Sequence, residues 1–298
     1  MDVAAEFERH RGHLFGVAYR MLGSVADAED LVQEAFVRLH QADAGRIADA
    51  RAWLTTTVVH LALDELKSAR ARRVTYAGPW LPEPIVSLDN DPAEIVVLDE
   101  SVSLALLAVL ETLTPAERAV YVLREAFGLP FEEVARLVGR TAAACRQLGA
   151  RARRHVRERA PRFEADPGQQ REVVRAFARA CAGGDLDRLA AVLDERVACL
   201  TDGGGRRLAA RRPILGRDRV ARLLLGVARR TADLSGIPAV VNGGHGLVVL
   251  EAGRPIGVLA VTVAGGLVTE VDVVLNPEKL GGLRHLGGPG GDDAESAT

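Results

Sequence analysis

The sequence predicts a multidomain chain in which two all-α domains precede an α+β domain. Apolar residues recur at intervals of three and four up to about residue 159, which is the period of a helix. Proline-rich segments interrupt this pattern twice. Beyond Arg196, short apolar runs alternate with Gly-rich turns, as in strands. The length of 298 residues suits two or three small domains.

Residues 1–73 form the first predicted domain. No proline occurs before Pro79, so nothing interrupts long helices there. A linker over 74–93 follows, because the prolines at 79, 82 and 84 lack the amide donor and force their predecessors into extended geometry. We expect this linker to be stiff and extended.

Residues 94–160 form the second predicted domain. The run Thr114-Pro115-Ala116-Glu117 combines an N-cap threonine, a proline at the first helical position and a glutamate at the third, which predicts a helix start. A helix over 131–138, a turn at Gly139-Arg140 and a second helix over 141–156 predict a helix-turn-helix.

A second linker is predicted over 161–169, followed by an α+β domain over 170–286 and a disordered tail over 287–298. Two amphipathic helices, over 170–182 and 185–193, begin this domain. The predicted strands then span 197–200, 239–241, 246–250, 256–263 and 267–275. Helices packed on an antiparallel sheet define the α+β class.

Composition excludes several classes of protein. Hydrophobic residues make up 48% and charged residues 26%, which is typical of globular chains. The net charge of −2 excludes a uniformly basic surface, and three cysteines are too few for a disulfide framework or a Cys-rich zinc site. No apolar run approaches the ~18–20 residues of a membrane span, and the first residues carry charges that a signal peptide lacks. We therefore expect a cytoplasmic protein.

Positive charge is concentrated on the helix-turn-helix. Nine arginines and one acid lie between Arg136 and Arg162, which suits a helix that neutralises DNA phosphates. Arg146 and Gln147, near the start of the second helix, have donors for purine edges. The alternative is an arginine-rich helix that faces only solvent.

Two further patches lie in the first domain. An acidic helix start carries Asp27, Glu29, Asp30 and Glu34, which could bind a partner or only complement the helix dipole. The helix that begins at Trp53 ends in basic residues, and its tryptophan could stack on a base or belong to the core. Those basic residues are Lys67, Arg70, Arg72 and Arg73.

The order of these motifs, together with the segments Tyr19-Arg20-Met21-Leu22-Gly23-Ser24 and Leu113-Thr114-Pro115-Ala116-Glu117-Arg118, resembles extracytoplasmic-function sigma factors with only the region 2 and region 4 domains. That resemblance covers residues 1 to about 160. The later motifs Trp80-Leu81-Pro82-Glu83-Pro84, Asp202-Gly203-Gly204-Gly205-Arg206 and Asn276-Pro277-Glu278-Lys279-Leu280 resemble the subgroup with a carboxy-terminal SnoaL-like domain of the nuclear-transport-factor-2-like cone fold.

The resemblance implies four sets of contact residues. The −10 element would meet His60, Asp64, Lys67, Arg70 and Arg72, with His60 standing where the family commonly has Asn. The −35 element would meet Thr141, Arg146, Gln147, Arg151 and Arg154. Asp27, Asp30, Gln33 and Glu34 would bind polymerase. Contacts that regulate the chain from within would use Trp80, Pro82, Glu83, Asp202, Gly203, Arg206, Asn276, Pro277 and Lys279.

The function implied is initiation of transcription from specific promoters, regulated by the fused carboxy-terminal domain. The implied partners are promoter DNA and core RNA polymerase, bound at its β′ clamp and β flap, with no membrane and no separate anti-sigma factor. No cofactor and no metal are expected. A domain that bridges regions 2 and 4 would favour a compact state that cannot bind a promoter, and it could also contribute positively.

Two other interpretations stay open at this stage. A one-component regulator would bind duplex DNA without polymerase, but it has no need for residues 1–73. A cone-fold enzyme would need an acid or base in a dry pocket, and Asp202, Asp272 and His245 are the titratable candidates near predicted strands. Asp202 also suits a Gly-rich turn, and His245 is expected to face solvent. We therefore predict no enzyme.

Overall fold

The computed structural model describes residues 3–42, 47–73, 76–88, 103–159 and 167–286. The chain forms two compact units. Unit 1 comprises residues 1–76 and 91–160, and unit 2 comprises residues 77–90 and 161–298. The predicted tail over 287–298 and the predicted helical start near residue 94 lie outside the described residues.

Unit 1 begins with three helices, which we call the first helical group: α1 (Val3–Leu22), α2 (Val25–Gln41) and α3 (Ala50–Arg73). Ser24 caps α2, because its hydroxyl accepts the Asp27 amide at 3.2 Å. The apolar stripe that predicted these helices is their shared core, in which Leu14, Val17 and Val58 are fully buried.

The second helical group contains α4 (Leu104–Leu110), α5 (Pro115–Tyr121), a π-helical turn (Val122–Ala126), α6 (Phe131–Val138) and α7 (Ala142–Arg159). The capping box predicted at the start of α5 is present, with Thr114 and Glu117 bonding each other's backbone. Gly139 ends α6 with φ +66°, a left-handed conformation that favours glycine. The predicted helix-turn-helix is therefore confirmed as α6 and α7.

Unit 2 packs three helices on a seven-stranded sheet, which confirms the predicted α+β class. The helices are α8 (Pro167–Gly183), α9 (Leu186–Val192) and α10 (Arg217–Arg230). The strands are β1 (Val86–Ser87), β2 (Leu193–Asp202), β3 (Ile214–Leu215), β4 (Leu234–Val241), β5 (Gly244–Glu251), β6 (Arg254–Ala264) and β7 (Leu267–Val274).

The strand order is β1-β4-β5-β6-β7-β2-β3. Among the strand pairs of the described residues, β2–β7 alone is parallel and the others are antiparallel. The helix-facing side of the sheet holds the main core, where Phe177, Leu189 and Leu225 pack with Val268 and Val271. Two short 3₁₀ turns, Pro277–Lys279 and Gly281–Leu286, follow the last strand.

Several elements of unit 2 differ from the prediction, and the two-residue strand β3 is one that was not predicted. Helix α10 was not predicted, although Val220 and Leu225 give it a buried stripe. Strand β4 begins before Pro238, which lies in the strand because it pairs opposite Leu247 near the sheet edge. The linker also contributes a strand, β1, whose Val86 pairs with Val241 of β4.

Candidate functional site

The helix α7 presents the residues that were predicted to read the −35 element. Thr141 caps the helix, since its hydroxyl accepts the Ala144 amide at 3.2 Å. The side chains of the other predicted residues point away from the core and are exposed. These are Arg146, Gln147, Arg151 and Arg154.

Two of these arginines have acidic partners in unit 1. Arg146 lies 3.2 Å from a carboxylate oxygen of Glu132 on α6, and Arg151 lies 3.4 Å from one of Glu117 on α5. Both arginines are more than half exposed, so each pair is weak and readily exchanged for a phosphate. The acids partly neutralise the face that would approach DNA.

One exposed face of α3 carries three of the residues predicted to contact the −10 element. His60, Asp64 and Lys67 are spaced by four and three residues, so they share that face. The Lys67 ammonium lies 2.8 Å from Asp64, and its hydrogen bond and charge lower the pKa of that carboxyl. Arg70 and Arg72 lie in the last turn of α3, where side chains are outside the described structure.

The residues predicted to bind polymerase lie on α2. Asp30, Gln33 and Glu34 are exposed, and Asp27 is half-buried in the first turn. Glu34 pairs with Arg38 at 2.7 Å within the helix. The predicted acidic face is therefore available to a partner.

A buried contact joins the two helical groups of unit 1. Arg118 of α5 is 1% exposed, and its Nε–H donates to the Arg20 carbonyl at the end of α1 at 3.1 Å. The same guanidinium pairs with Glu111. Burial lowers the pKa of Arg118 to about 9, which leaves it charged at neutral pH.

Phe127 closes the same contact from the second helical group. Its ring meets the His13 ring edge-on at 5.1 Å between centroids, and the Arg20 guanidinium lies 5.1 Å from the ring centre. Burial, followed by the charge of Arg51, lowers the pKa of His13 to about 4, so this histidine is neutral at pH 7. No local sequence signal indicates this contact, because it joins residues 98 to 114 positions apart.

The three subgroup motifs meet in unit 2 and form what we call the linker clasp: Trp80, Leu81, Asp202 and Lys279. The Leu81 amide donates to the buried Asp202 carboxylate at 2.9 Å, and the Lys279 ammonium lies 2.7 Å from the same oxygen. That ammonium also donates to the Leu81 carbonyl and lies 3.8 Å from the centre of the Trp80 ring. Leu81 itself is fully buried.

The remaining motif residues support the clasp. The Asp202 carboxylate accepts the Gly204 amide at 3.0 Å, and Gly204 (φ +62°) lies so close to Asn276 that a Cβ there would overlap its side chain. Arg206 pairs with Glu278 at 2.6 Å across the two loops. The other predicted members lie in the same segments: Pro82 and Glu83 follow Leu81, Gly203 is in the Asp202 turn, and Pro277 starts the 3₁₀ turn.

Sequence reasoning missed Asn242, which holds the linker further along. Its side-chain oxygen accepts the Ile85 backbone N–H at 3.1 Å, and its backbone N–H donates to the Ile85 carbonyl at 2.9 Å. The only signal was the dipeptide Asn242-Gly243, which indicates a hairpin turn and nothing about a partner 157 residues away.

The three titratable candidates for an enzyme do not share a pocket. Asp202 is engaged in the clasp. His245 is half-buried and lines a small open pocket on the helix-facing side. Asp272 alternates with Val271 of the helix-facing core, so it lies on the opposite side of the sheet. Burial raises the pKa of Asp272 and that of its neighbour Glu270, the latter to about 7.

Within the described ranges, no group of three or more metal-ligating side chains comes together. Of the helices that the structure describes, none is long and apolar enough to cross a membrane.

Known families match both helical groups. The Sigma-70 region 2 family matches residues 7–72, and the Sigma-70 region 4 family matches residues 103–156. The ECF RNA polymerase sigma factor SigJ of Mycobacterium tuberculosis is 43% identical over 295 residues, covering 95% of this chain and 94% of that protein. The probable ECF RNA polymerase sigma factor SigI of the same species is 41% identical over 292 residues, covering 96% and 98%.

The similarity extends to three dimensions. The crystal structure of the M. tuberculosis extracytoplasmic function sigma factor SigJ superposes with a TM-score of 0.77 at 39% identity. The match covers 94% of this chain and 98% of that one, so it includes unit 2 as well as the helical groups.

Proposed function

Because the chain belongs to the extracytoplasmic-function family of RNA polymerase sigma factors, we propose that its two helical groups divide the work of promoter recognition. The helix α7 enters the major groove of the −35 element. Arg146 and Gln147 lie near its start, where base edges are in reach, and Arg151 and Arg154 lie further along beside the phosphates. Phosphates replace Glu132 and Glu117 as partners of the arginines.

The first helical group contacts the −10 element and the polymerase through different helices. The exposed face of α3 that carries His60, Asp64 and Lys67 contacts the DNA strand of the −10 element. Arg70 and Arg72, in the last turn of the same helix, contact the phosphate backbone of that strand. The acidic face of α2 docks on the β′ clamp, and the second helical group meets the β flap. A chain that makes these contacts with polymerase and promoter DNA acts in the cytoplasm.

Unit 2 regulates this activity by holding the linker between the two helical groups. The observation that carries this proposal is the linker clasp, in which one buried carboxylate, Asp202, binds both the Leu81 amide and the Lys279 ammonium. Removing one partner of a buried ion pair leaves an uncompensated buried charge, which is strongly destabilising. The linker segment is therefore either bound by the whole clasp or released from it.

While the buried contact at Arg118 and Phe127 is formed, the two helical groups of unit 1 cannot span a promoter. The −10 and −35 elements lie about 25 base pairs apart, which is roughly 85 Å at about 3.4 Å per base pair. Helical groups that share a buried contact cannot reach both elements at once. Promoter binding therefore requires that this contact opens, and whatever favours the closed state lowers activity.

A transcription assay tests the regulatory proposal. Core polymerase would be reconstituted with the full chain, with Leu81→Ala, and with Leu88→Ala as the matched control. Leu81 is fully buried, whereas Leu88 is 38% exposed in the same linker. Loss of a buried leucine weakens the clasp by about 2–5 kcal/mol.

We expect Leu81→Ala to change promoter output severalfold and to speed amide exchange over residues 80–86, with Leu88→Ala close to the wild type. Faster exchange with unchanged output would refute regulation by unit 2 and leave the sigma factor activity intact. Absence of output from every form, including the wild type, would instead count against the promoter assignment.

A further inference from the structure

A small pocket lies at the edge of unit 2 where the linker strand β1 joins the sheet. It opens between α8 and the paired ends of β4 and β5, and its volume is about 170 Å³. The main core beneath the helices is filled by side chains such as Phe177 and Leu189, and the edge pocket borders that core at Val174. We call it the edge pocket.

One wall of the edge pocket is cationic. Arg171 and Arg175 are one helical turn apart on α8, so both face the same opening. His245 of β5 lines the opposite wall. The described residues that line the pocket include no acidic side chain. Arginine stays charged at all physiological pH values, and its planar donors match a carboxylate in pairs.

The rest of the lining is apolar. Val174, Pro238, Ala239, Val240 and Leu88 supply the floor and rim. A cavity of about 150 Å³ lined by apolar groups is large enough to bind benzene. The edge pocket therefore offers room for a compact apolar body beside two positive charges.

We propose that the edge pocket binds a small monocarboxylate with an apolar body, of about the size of benzoate or hexanoate. The carboxylate lies against Arg171 and Arg175, and the body lies over Val174 and Pro238. Free phosphate would meet the same charges, but it has no apolar group to cover the floor. The apolar lining therefore favours the carboxylate.

The ligand would also touch the linker, because Leu88 directly follows β1 and forms part of the rim. Binding would add contacts that hold β1 on the edge of β4. Any effect on transcription rests on the proposed regulation by unit 2, whereas binding itself does not.

Calorimetric titration of the full chain tests the site. Benzoate, hexanoate and inorganic phosphate would be titrated into the wild type, into Arg171→Gln/Arg175→Gln, and into Arg179→Gln. Arg179 is an exposed arginine one turn further along α8 and outside the pocket, so its replacement removes a positive charge from the same helix without touching the pocket. Circular dichroism melting confirms that all forms are folded.

We expect saturable benzoate or hexanoate binding that weakens at least tenfold in the double variant and is unchanged in Arg179→Gln. Slower amide exchange over residues 84–88 on binding supports the same assignment. Phosphate that binds as tightly as the carboxylates would overturn the choice of ligand class. The proposed site would be overturned if neither carboxylate bound at millimolar concentration. It would also be overturned if Arg179→Gln lost as much affinity for them as the double variant.

Discussion

Replacing Phe127 by alanine should open unit 1. The substitution removes the ring that lies under the Arg20 guanidinium and against His13, both at 5.1 Å from the ring centre. A cation–π contact contributes about 0.5–2 kcal/mol, and an aromatic pair about 0.5–1.5 kcal/mol. A combined loss of about 2 kcal/mol shifts the balance between closed and open forms roughly 30-fold, at about 1.4 kcal/mol for each tenfold change.

Hydrogen exchange of the full chain measures this shift directly. Amides near the end of α1 and in the π-helical turn should exchange faster in Phe127→Ala, and complexes with core polymerase and promoter DNA should form at lower protein concentration. Phe127→Leu is the matched variant, because leucine keeps much of the apolar contact but lacks the ring. It should give an intermediate result.

The reasoning would be refuted if Phe127→Ala exchanged faster at the end of α1 yet bound promoter DNA no better than the wild type. In that case the buried contact would not limit access to the promoter. Equal exchange in the wild type and in both variants would show that Arg118 and its carbonyl partner alone hold the contact.

Three further changes test other parts of the chain. Gly204→Ala should destabilise unit 2 by about 1–3 kcal/mol, because a Cβ would overlap Asn276; a lower Tm of the full chain measures this. Glu270→Gln should flatten the pH dependence of stability. Burial raises the pKa of this carboxyl from 4.5 to about 7, so the fold retains its proton and loses stability as pH rises through that window, by up to about 1.4 kcal/mol per pH unit. Glu132→Gln should free Arg146 and tighten binding of the −35 duplex about 1.5- to 5-fold, the equivalent of 0.2–1 kcal/mol.

Each of these has a clear contrary result. An unchanged Tm in Gly204→Ala would mean that the turn moves freely away from Asn276. A pH profile of Glu270→Gln that parallels the wild type would show that another group is responsible. Duplex binding that weakens in Glu132→Gln would mean that this acid orients Arg146 for DNA.

Local signals predicted the helical part of the chain well. The capping box at Thr114 and the glycine turn at Gly139 are contained within a few residues, and α5 begins and α6 ends where these signals indicate. Local signals do not predict an element whose formation depends on residues far away in the sequence. Strand β1 has only two residues, and it exists because Asn242 and Val241 lie alongside the linker.

The same distinction applies to the candidate site. The motif residues of the clasp were predicted to act together because of a family resemblance, and Asp202 and Lys279 do meet at the linker. Their chemistry alone would not have paired them. The contact of Arg118 with the Arg20 carbonyl had no signal at all, because a buried arginine looks like any surface arginine in a helical pattern.

The clasp also sets an order of events during synthesis. Lys279 follows Leu81 by 198 residues, so a ribosome that adds about 5–20 residues per second delivers it about 10–40 s later. Both helical groups have emerged by then, while the linker still lacks its last partner. Every nascent copy therefore passes through an interval in which both helical groups are complete and the linker is not yet held, and the clasp that we propose to regulate the chain is among the last contacts to form.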